Sequence, residues 1–308
     1  MLWWIILSGA AILALIAFAA VYAVTSLVIC PRRRDLKSAF AYFGERGEEM
    51  RRTYESLQRE AFSVTADDGT RLEAELVAPP CSEGRKKVVI FVHGFGFNRA
   101  AALKYLPFFQ KRGFHAVLFD HRNAGESGGK YTTFGAKEQH DLRAVVDAVV
   151  ARFGADTFVG TVGESMGGAT VLLHAAFDAR LAFVVADCAY ADCRDQLAHT
   201  LSKRARWLVP ILIPLASRMA KLRAGFRFEE VSPERALAAI DRPLPILFAH
   251  GTADLVVPTS HHPRLVSAYH GQKLTFLGEN SRHTRCAVDH VERYDALIGQ
   301  LLTMAETE

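Results

Sequence analysis

Two segments of this 308-residue chain place a serine between glycines in a pattern suited to nucleophilic catalysis. GESMG, at residues 163–167, follows the apolar run TFVGTVG and precedes a helical pattern. A serine in such a sharp strand-to-helix turn stands above the sheet, and the flanking glycines prevent collisions with neighbouring backbone. GESGG, at residues 125–129, matches the same pattern but is not followed by a periodic helix. We therefore predict Ser165 as the nucleophile and Ser127 as a loop residue.

A serine hydroxyl needs a base to take its proton, and that base needs an acid to orient it. Asp254 follows the apolar run PILFAHG, and His283 follows KLTFLG just before the final helical pattern. The order Ser, Asp, His, each at a strand end, is the one expected of this turn. We predict His283 as the base and Asp254 as the acid. Asp187 and Asp192, at the end of the preceding strand, remain rivals for the acid.

The chemistry also needs two donors for the oxyanion. Met166 directly follows the serine, so its backbone N–H is the first predicted donor. Phe95, within the segment HGFG after the apolar run VVIFV, is the second. Glu164 could itself be catalytic, but a buried, paired support is the interpretation we prefer.

The elements that must position these groups are strands alternating with helical patterns from residue 62 onward. This alternation predicts a parallel sheet with helices on both faces, after a β-hairpin around Asp68-Gly69. Functional groups in such sheets gather at the carboxyl ends of the strands.

Residues 191–240 are too long for a plain connection and predict a helical cap over the site. The apolar face of this cap would lie toward the sheet and line an acyl pocket. Seven basic residues and no acidic ones occur from 198 to 228, so the basic face of the cap could also rest on anionic lipid. They are Lys203, Arg204, Arg206, Arg218, Lys221, Arg223 and Arg227.

The N-terminus predicts a single membrane-spanning helix. Residues 2–29 carry no charge and, at about 1.5 Å per residue, exceed the roughly 30 Å of a bilayer core. Arg32, Arg33, Arg34 and Lys37 follow at once, which predicts a cytoplasmic catalytic domain. A signal peptide cleaved near residues 17–19 and a lipoprotein site at Cys30 are the rival interpretations.

The overall composition argues against several other classes of protein. The 37 basic and 33 acidic residues leave a net charge of only +4, a weak argument for a nucleic-acid partner. Five scattered cysteines suggest neither a disulfide framework nor a zinc site. Phosphate-binding GxxxxGK[ST] and metal-binding HExxH motifs are missing from the sequence, so we predict no cofactor and no metal.

Five segments together resemble the α/β-hydrolase superfamily, especially membrane-anchored bacterial hydrolases related to monoacylglycerol lipases and serine aminopeptidases. They are HGFGFNR, DHRNAGESGG, GESMGGAT, EEVSP and HGTADLVVP, followed by His283 before the last helix. The resemblance implies an eight-stranded, mostly parallel sheet, no cofactor and acyl-enzyme chemistry. One departure is Ser281-Arg282 before His283, where relatives often carry a glycine just before the histidine.

We therefore expect an anchor at residues 1–30, a helical connector at 31–60 and a hydrolase domain at 61–308 that includes the cap. The expected activity is cleavage of a carboxyl ester, thioester or amide in a small, apolar acyl substrate. A peptidase or acyltransferase using the same triad, and a non-catalytic membrane-held scaffold, are the alternatives. The sequence does not indicate the oligomeric state.

Overall fold

The computed structural model describes residues 2–42, 44–81 and 84–307, and its centre is an eight-stranded sheet. The strand order is β1-β2-β4-β3-β5-β6-β7-β8, with β2 antiparallel to both neighbours and every other pairing parallel. The strands are β1 (Arg59–Thr65), β2 (Arg71–Val77), β3 (Lys87–Val92), β4 (His115–Phe119), β5 (Phe158–Glu164), β6 (Leu181–Asp187), β7 (Ile246–Gly251) and β8 (Lys273–Gly278). The predicted fold class is confirmed.

Helices cover both faces of the sheet, so the central parallel strands are buried on both sides. They are α1 (Leu2–Ile29), α2 (Leu36–Tyr42), α3 (Glu45–Ser56), α4 (Leu106–Gln110), α5 (Glu138–Phe153), α6 (Met166–Ala175), α7 (Cys193–Ala205), α8 (Val209–Ala224), α9 (Pro233–Ala238), α10 (His261–Ala268), α11 (Cys286–Asp289) and α12 (Val291–Glu306). Helices α5, α6, α9 and α10 contribute to the core on one face, and α3, α4 and α12 to the core on the other.

The N-terminal part differs in detail from the sequence prediction. The connector contains two helices, α2 and α3, because Gly44 between them has φ 60° and ψ −133°, outside the helical region. Strand β1 begins at Arg59, so the sheet starts two residues before the predicted domain boundary. Phe43, one of the apolar positions of the predicted connector helix, lies outside the described residues.

Residues 99–112 and 287–304 each have a sequence pattern that predicts one continuous helix, and both helices are interrupted. Residues 99–105 form a 3₁₀ helix, and only Leu106–Gln110 continues as α-helix. The final helix breaks at His290, whose φ of −132° and ψ of 52° separate α11 from α12.

Helix α1 is the one helix in the described ranges that is long and apolar enough to cross a membrane. Residues 3–20 are exposed, whereas Val21, Thr25 and Ile29 are buried against the rest of the protein. These last turns pack on α8 of the cap.

Candidate functional site

Ser165 occupies the sharp turn between β5 and α6. Its φ of 55° and ψ of −117° lie outside the conformations that non-glycine residues prefer. A Cβ at Gly163 would lie 2.2 Å from the carbonyl oxygen of Gly167, and one at Gly167 would lie 2.0 Å from that of Val92. Both glycines are therefore required by close backbone packing, as the sequence pattern predicted.

The three residues predicted as a triad lie in one hydrogen-bonded chain. Nε2 of His283 is 2.9 Å from Oγ of Ser165, and its Nδ1 is 2.6 Å from Oδ2 of Asp254. Asp254 is buried, and its Oδ1 accepts backbone N–H bonds from Val256 at 2.8 Å and Val257 at 2.9 Å.

Electrostatics keep Asp254 ionised. Burial raises its pKa, but hydrogen bonds from His250 and His283 outweigh burial and hold that pKa well below its usual value. An ionised carboxylate at this position can orient the imidazole and stabilise its charged form.

The two rival acids have other partners, and within the described ranges neither contacts His283. Asp187 accepts the hydroxyl of Tyr105 at 2.9 Å, and burial raises its pKa. Asp192 caps α7 by accepting the backbone N–H of Asp195 at 3.2 Å. The geometry therefore selects Asp254.

The backbone N–H groups of Phe95 and Met166 have no protein acceptor in the part of the chain that the structure describes. Gly96, next to Phe95, has φ 71° and so adopts a conformation that favours glycine. Its carbonyl oxygen accepts a 2.5 Å hydrogen bond from Nη1 of Arg34, and the carbonyl of Arg34 accepts Nδ2 of Asn98 at 3.0 Å. The segment that follows α1 thus holds the Phe95 loop.

The two other residues singled out by motif have structural partners. Ser127 is fully buried; its hydroxyl donates to the carbonyl of Asp120 at 2.6 Å and accepts the N–H of Glu73 at 2.8 Å. Glu164 is buried in an ion pair with Lys104. Ser127 is therefore a loop residue and Glu164 a paired support.

Two cavities meet at Ser165. The first has a volume of about 520 Å³, within the range of small-molecule sites, and its lining is mostly apolar. Its walls come from α1, α6, the cap helices and the loops after β3 and β7. The second, about 790 Å³, lies on the side of His283 and contains four basic side chains. They are Arg46, Lys104, Arg282 and Arg285.

Arg46 of α3 is the unusual cation of this second cavity. It is half-buried, and its guanidinium has no hydrogen-bond acceptor within the described residues. Burial, followed by repulsion from Arg285, lowers the pKa of Arg46. An anionic group beside His283 would relieve both effects.

The comparisons with known proteins agree with this fold. A family model described as the alpha/beta hydrolase fold matches residues 87–208. The uncharacterised protein YqkD of Bacillus subtilis is 31% identical over 298 residues, which cover 96% of this chain and 95% of YqkD. The chain belongs to the α/β-hydrolase superfamily.

Solved structures resemble this α/β-hydrolase over most of its length. The Pyrococcus furiosus esterase Pf2001 superposes with a TM-score of 0.65 at 20% identity, covering 90% of this chain and 97% of that one. The Pyrococcus horikoshii acylaminoacyl peptidase gives a TM-score of 0.57 at 14% identity, covering 80% of this chain and 41% of that one. At these identities the likeness shows the fold.

Sequence reasoning missed three contributors to the site of this α/β-hydrolase: the Arg34 contact with the Phe95 loop, the unpaired Arg46, and the lining supplied by α1. Arg34 and Arg46 lie in charged stretches where any basic residue could be solvated. The residues of α1 are apolar like the rest of that helix, so hydropathy gives no signal of a second role.

Proposed function

We propose that this α/β-hydrolase is a membrane-tethered serine hydrolase that cleaves a carboxyl ester of an apolar acyl substrate. The observation that carries the proposal is the hydrogen-bonded chain from Ser165 through His283 to Asp254. A serine held in a strained turn beside an imidazole, itself paired with a buried carboxylate, is the arrangement that nucleophilic acyl transfer needs.

In the proposed reaction, Oγ of Ser165 attacks the ester carbonyl carbon while Nε2 of His283 takes its proton. The carbonyl oxygen becomes an oxyanion, stabilised by the N–H groups of Phe95 and Met166. The C–O bond to the alcohol then breaks, and His283 gives its proton to the departing oxygen. A water molecule repeats the sequence on the acyl-enzyme, releasing the acid and restoring Ser165.

The 520 Å³ cavity supports an apolar acyl group as the part of the substrate bound beside Ser165. Burial of methylene groups against apolar walls is favourable, at about 0.8 kcal/mol each. The likeness to the Pf2001 esterase is in keeping with ester cleavage, although it extends only to the fold.

Helix α1 supports the membrane tether, and the proposed orientation places the hydrolase domain in the cytoplasm. The basic residues that follow α1 carry this part of the proposal. Fusions of green fluorescent protein and of alkaline phosphatase to the C-terminus test it: fluorescence without phosphatase activity is expected, and the reverse would contradict it.

Covalent labelling with a fluorophosphonate probe tests the chemistry, together with turnover of p-nitrophenyl esters. Ser165→Ala should abolish both labelling and turnover. Ser127→Ala is the matched control because it removes the serine of the other G-x-S-x-G segment, whose hydroxyl has only structural partners.

Labelling that persists in Ser165→Ala would refute the nucleophile assignment. A folded wild-type protein that neither labels nor turns over an ester would favour the non-catalytic scaffold. Turnover of peptides, or transfer of the acyl group to an added alcohol in preference to water, would favour the peptidase or acyltransferase alternatives.

A further inference from the structure

The last turns of helix α1 line the apolar cavity beside Ser165. Val24, Leu27 and Val28 of α1 line the same 520 Å³ cavity as Ser165 and Met166. The opposite walls come from cap helices α7 and α8 and from aromatic side chains of the hydrolase domain. A helix that served only as a tether would not need to reach the reactive serine.

Polar contacts fix this end of α1 to the domain. Nη1 of Arg223, on α8, donates to Oγ of Ser26 at 2.7 Å, and its guanidinium lies 4.0 Å from the ring centre of Tyr22. The backbone N–H of Thr132 donates to the carbonyl of Ile29 at 2.9 Å, and Ile29 is fully buried. The wall is therefore a built part of the domain.

The length of the exposed part of α1 indicates where the bilayer ends. Residues 3–20 are exposed and extend about 27 Å at 1.5 Å per residue, close to the roughly 30 Å of a hydrocarbon core. The membrane boundary then falls near Val21 and Tyr22. Val24 and Leu27 follow within two helical turns, so the cavity lies at the membrane surface.

The rim of the cavity is apolar on its outer side as well. Leu27 lines the cavity and is also 74% exposed. Large apolar side chains are exposed on the cap next to α1. They are Trp207, just before α8, and Ile211, Leu215 and Leu222 within it. An acyl chain that left the bilayer beside Leu27 would pass directly into the apolar cavity.

We propose that helix α1 is a wall of the acyl-binding site, and that the acyl chain of a membrane lipid ester enters this cavity past the exposed side chain of Leu27. The substrate is thereby a bilayer-resident ester with a long acyl chain, and the helix selects its length. This inference rests on the proposed function, because it assigns the acyl subsite of the same serine.

Substitutions at the wall test the proposal with the full chain in lipid nanodiscs, using p-nitrophenyl esters of four and twelve carbons. Val28→Trp reduces the volume of the cavity at this wall, and Val28→Ala enlarges the cavity. The matched control is Leu13→Trp, which introduces the same side chain in the exposed part of the same helix. Fluorophosphonate labelling of every variant reports whether Ser165 remains accessible and reactive.

Each methylene moved from water to an apolar wall is worth about fourfold in affinity. If Val28→Trp displaces two methylenes, the ratio of kcat/KM for the long ester to that for the short one should fall about fifteenfold. Val28→Ala should shift preference in the opposite direction, toward longer chains. Leu13→Trp should leave the ratio as in the wild type.

An unchanged ratio in both Val28 variants, while they label and cleave the short ester, would overturn the proposal and leave the proposed function standing. If the probe does not label Val28→Trp, the result for Val28→Ala decides the test, because that substitution removes only two methyl groups. If the fluorophosphonate probe does not label the wild-type protein and the protein cleaves neither ester, the proposed function is refuted, and the inference with it.

Discussion

Removal of the Arg34 side chain tests whether the segment that follows α1 supports the proposed oxyanion site. Nη1 of Arg34 donates to the carbonyl of Gly96, one residue after the Phe95 N–H that we assign to the oxyanion. The same guanidinium lies over the rings of Tyr42 and Phe97, at 4.9 Å and 4.7 Å from their centres. Arg34→Ala removes two contacts with the loop and one with the end of α2.

The expected loss in rate follows from these contacts. A hydrogen bond from a charged group contributes about 1.5–3 kcal/mol, and Arg34 is only half-buried, so we take the lower end. The ceiling is the complete loss of one oxyanion donor, about 2.7–4 kcal/mol. We therefore expect kcat to fall about tenfold to thirtyfold, equivalent to about 1.4–2 kcal/mol. KM should change less, because Arg34 itself does not line the apolar cavity, where Phe95 is only one of many lining residues.

Steady-state hydrolysis of a p-nitrophenyl ester by the full chain measures this loss. Arg33→Ala is the matched control, since it removes the same charge from the same segment. Arg33 contacts the carbonyl of Gly129 at 2.6 Å and Oδ1 of Asn123 at 3.2 Å, away from the Phe95 loop. Equal losses of kcat in the two variants, or an unchanged kcat in Arg34→Ala, would refute the reasoning.

Three further predictions concern charged groups. Asp254→Asn should lower kcat about 10⁴-fold, as in other Ser-His-Asp triads, and Asp187→Asn far less; the reverse ranking in ester kinetics would make Asp187 the acid. The pKa of Asp178 is raised by burial, but hydrogen bonds from His174 and Arg180 outweigh this and hold it well below its usual value. The ionised Asp178 therefore stabilises the fold above about pH 4, and this stabilisation is lost as the pH falls. Between about pH 4 and 2, the free energy of unfolding in urea should decline less in Asp178→Asn than in the wild type. Arg46→Gln should weaken the binding of a carboxylate on the leaving group of an ester. The ratio of kcat/KM for such an ester to that for the neutral ester should fall about fivefold, equivalent to about 1 kcal/mol. An unchanged ratio would exclude a contact between Arg46 and the leaving group.

The positions of Ser165, Asp254 and His283 could be predicted because the signals are local. A buried strand that runs directly into a helix through a glycine-flanked turn specifies the place of the serine. The other two residues follow strands of the same parallel sheet, and carboxyl ends of parallel strands share one edge.

The sequence alone leaves the choice among the three candidate acids open. Asp187, Asp192 and Asp254 all follow strands β6 and β7, which are neighbours in the sheet. Loop conformation separates them: backbone N–H groups of Val256 and Val257 fix Asp254 toward His283, whereas Tyr105 holds Asp187. The Tyr105–Asp187 contact joins residues 82 positions apart in the chain, so no local pattern reports it.

The predicted helix boundaries were wrong for a related reason. The apolar spacing of residues 35–60 and 287–304 continues across Gly44 and His290, so periodicity alone predicts unbroken helices. The backbone leaves the helical region at each of these two residues, and the spacing of apolar side chains does not record such a break.

By itself, the sequence determined the superfamily, the order of the elements, the nucleophile turn and an apolar N-terminal helix. Tertiary structure alone decided which acid meets His283, that Arg34 holds the Phe95 loop, and that Val24, Leu27 and Val28 line the cavity beside Ser165. The physical reason is that hydropathy is the same for a side chain that faces lipid and one that faces an apolar cavity. Only the packing of α1 on α8 distinguishes the two environments.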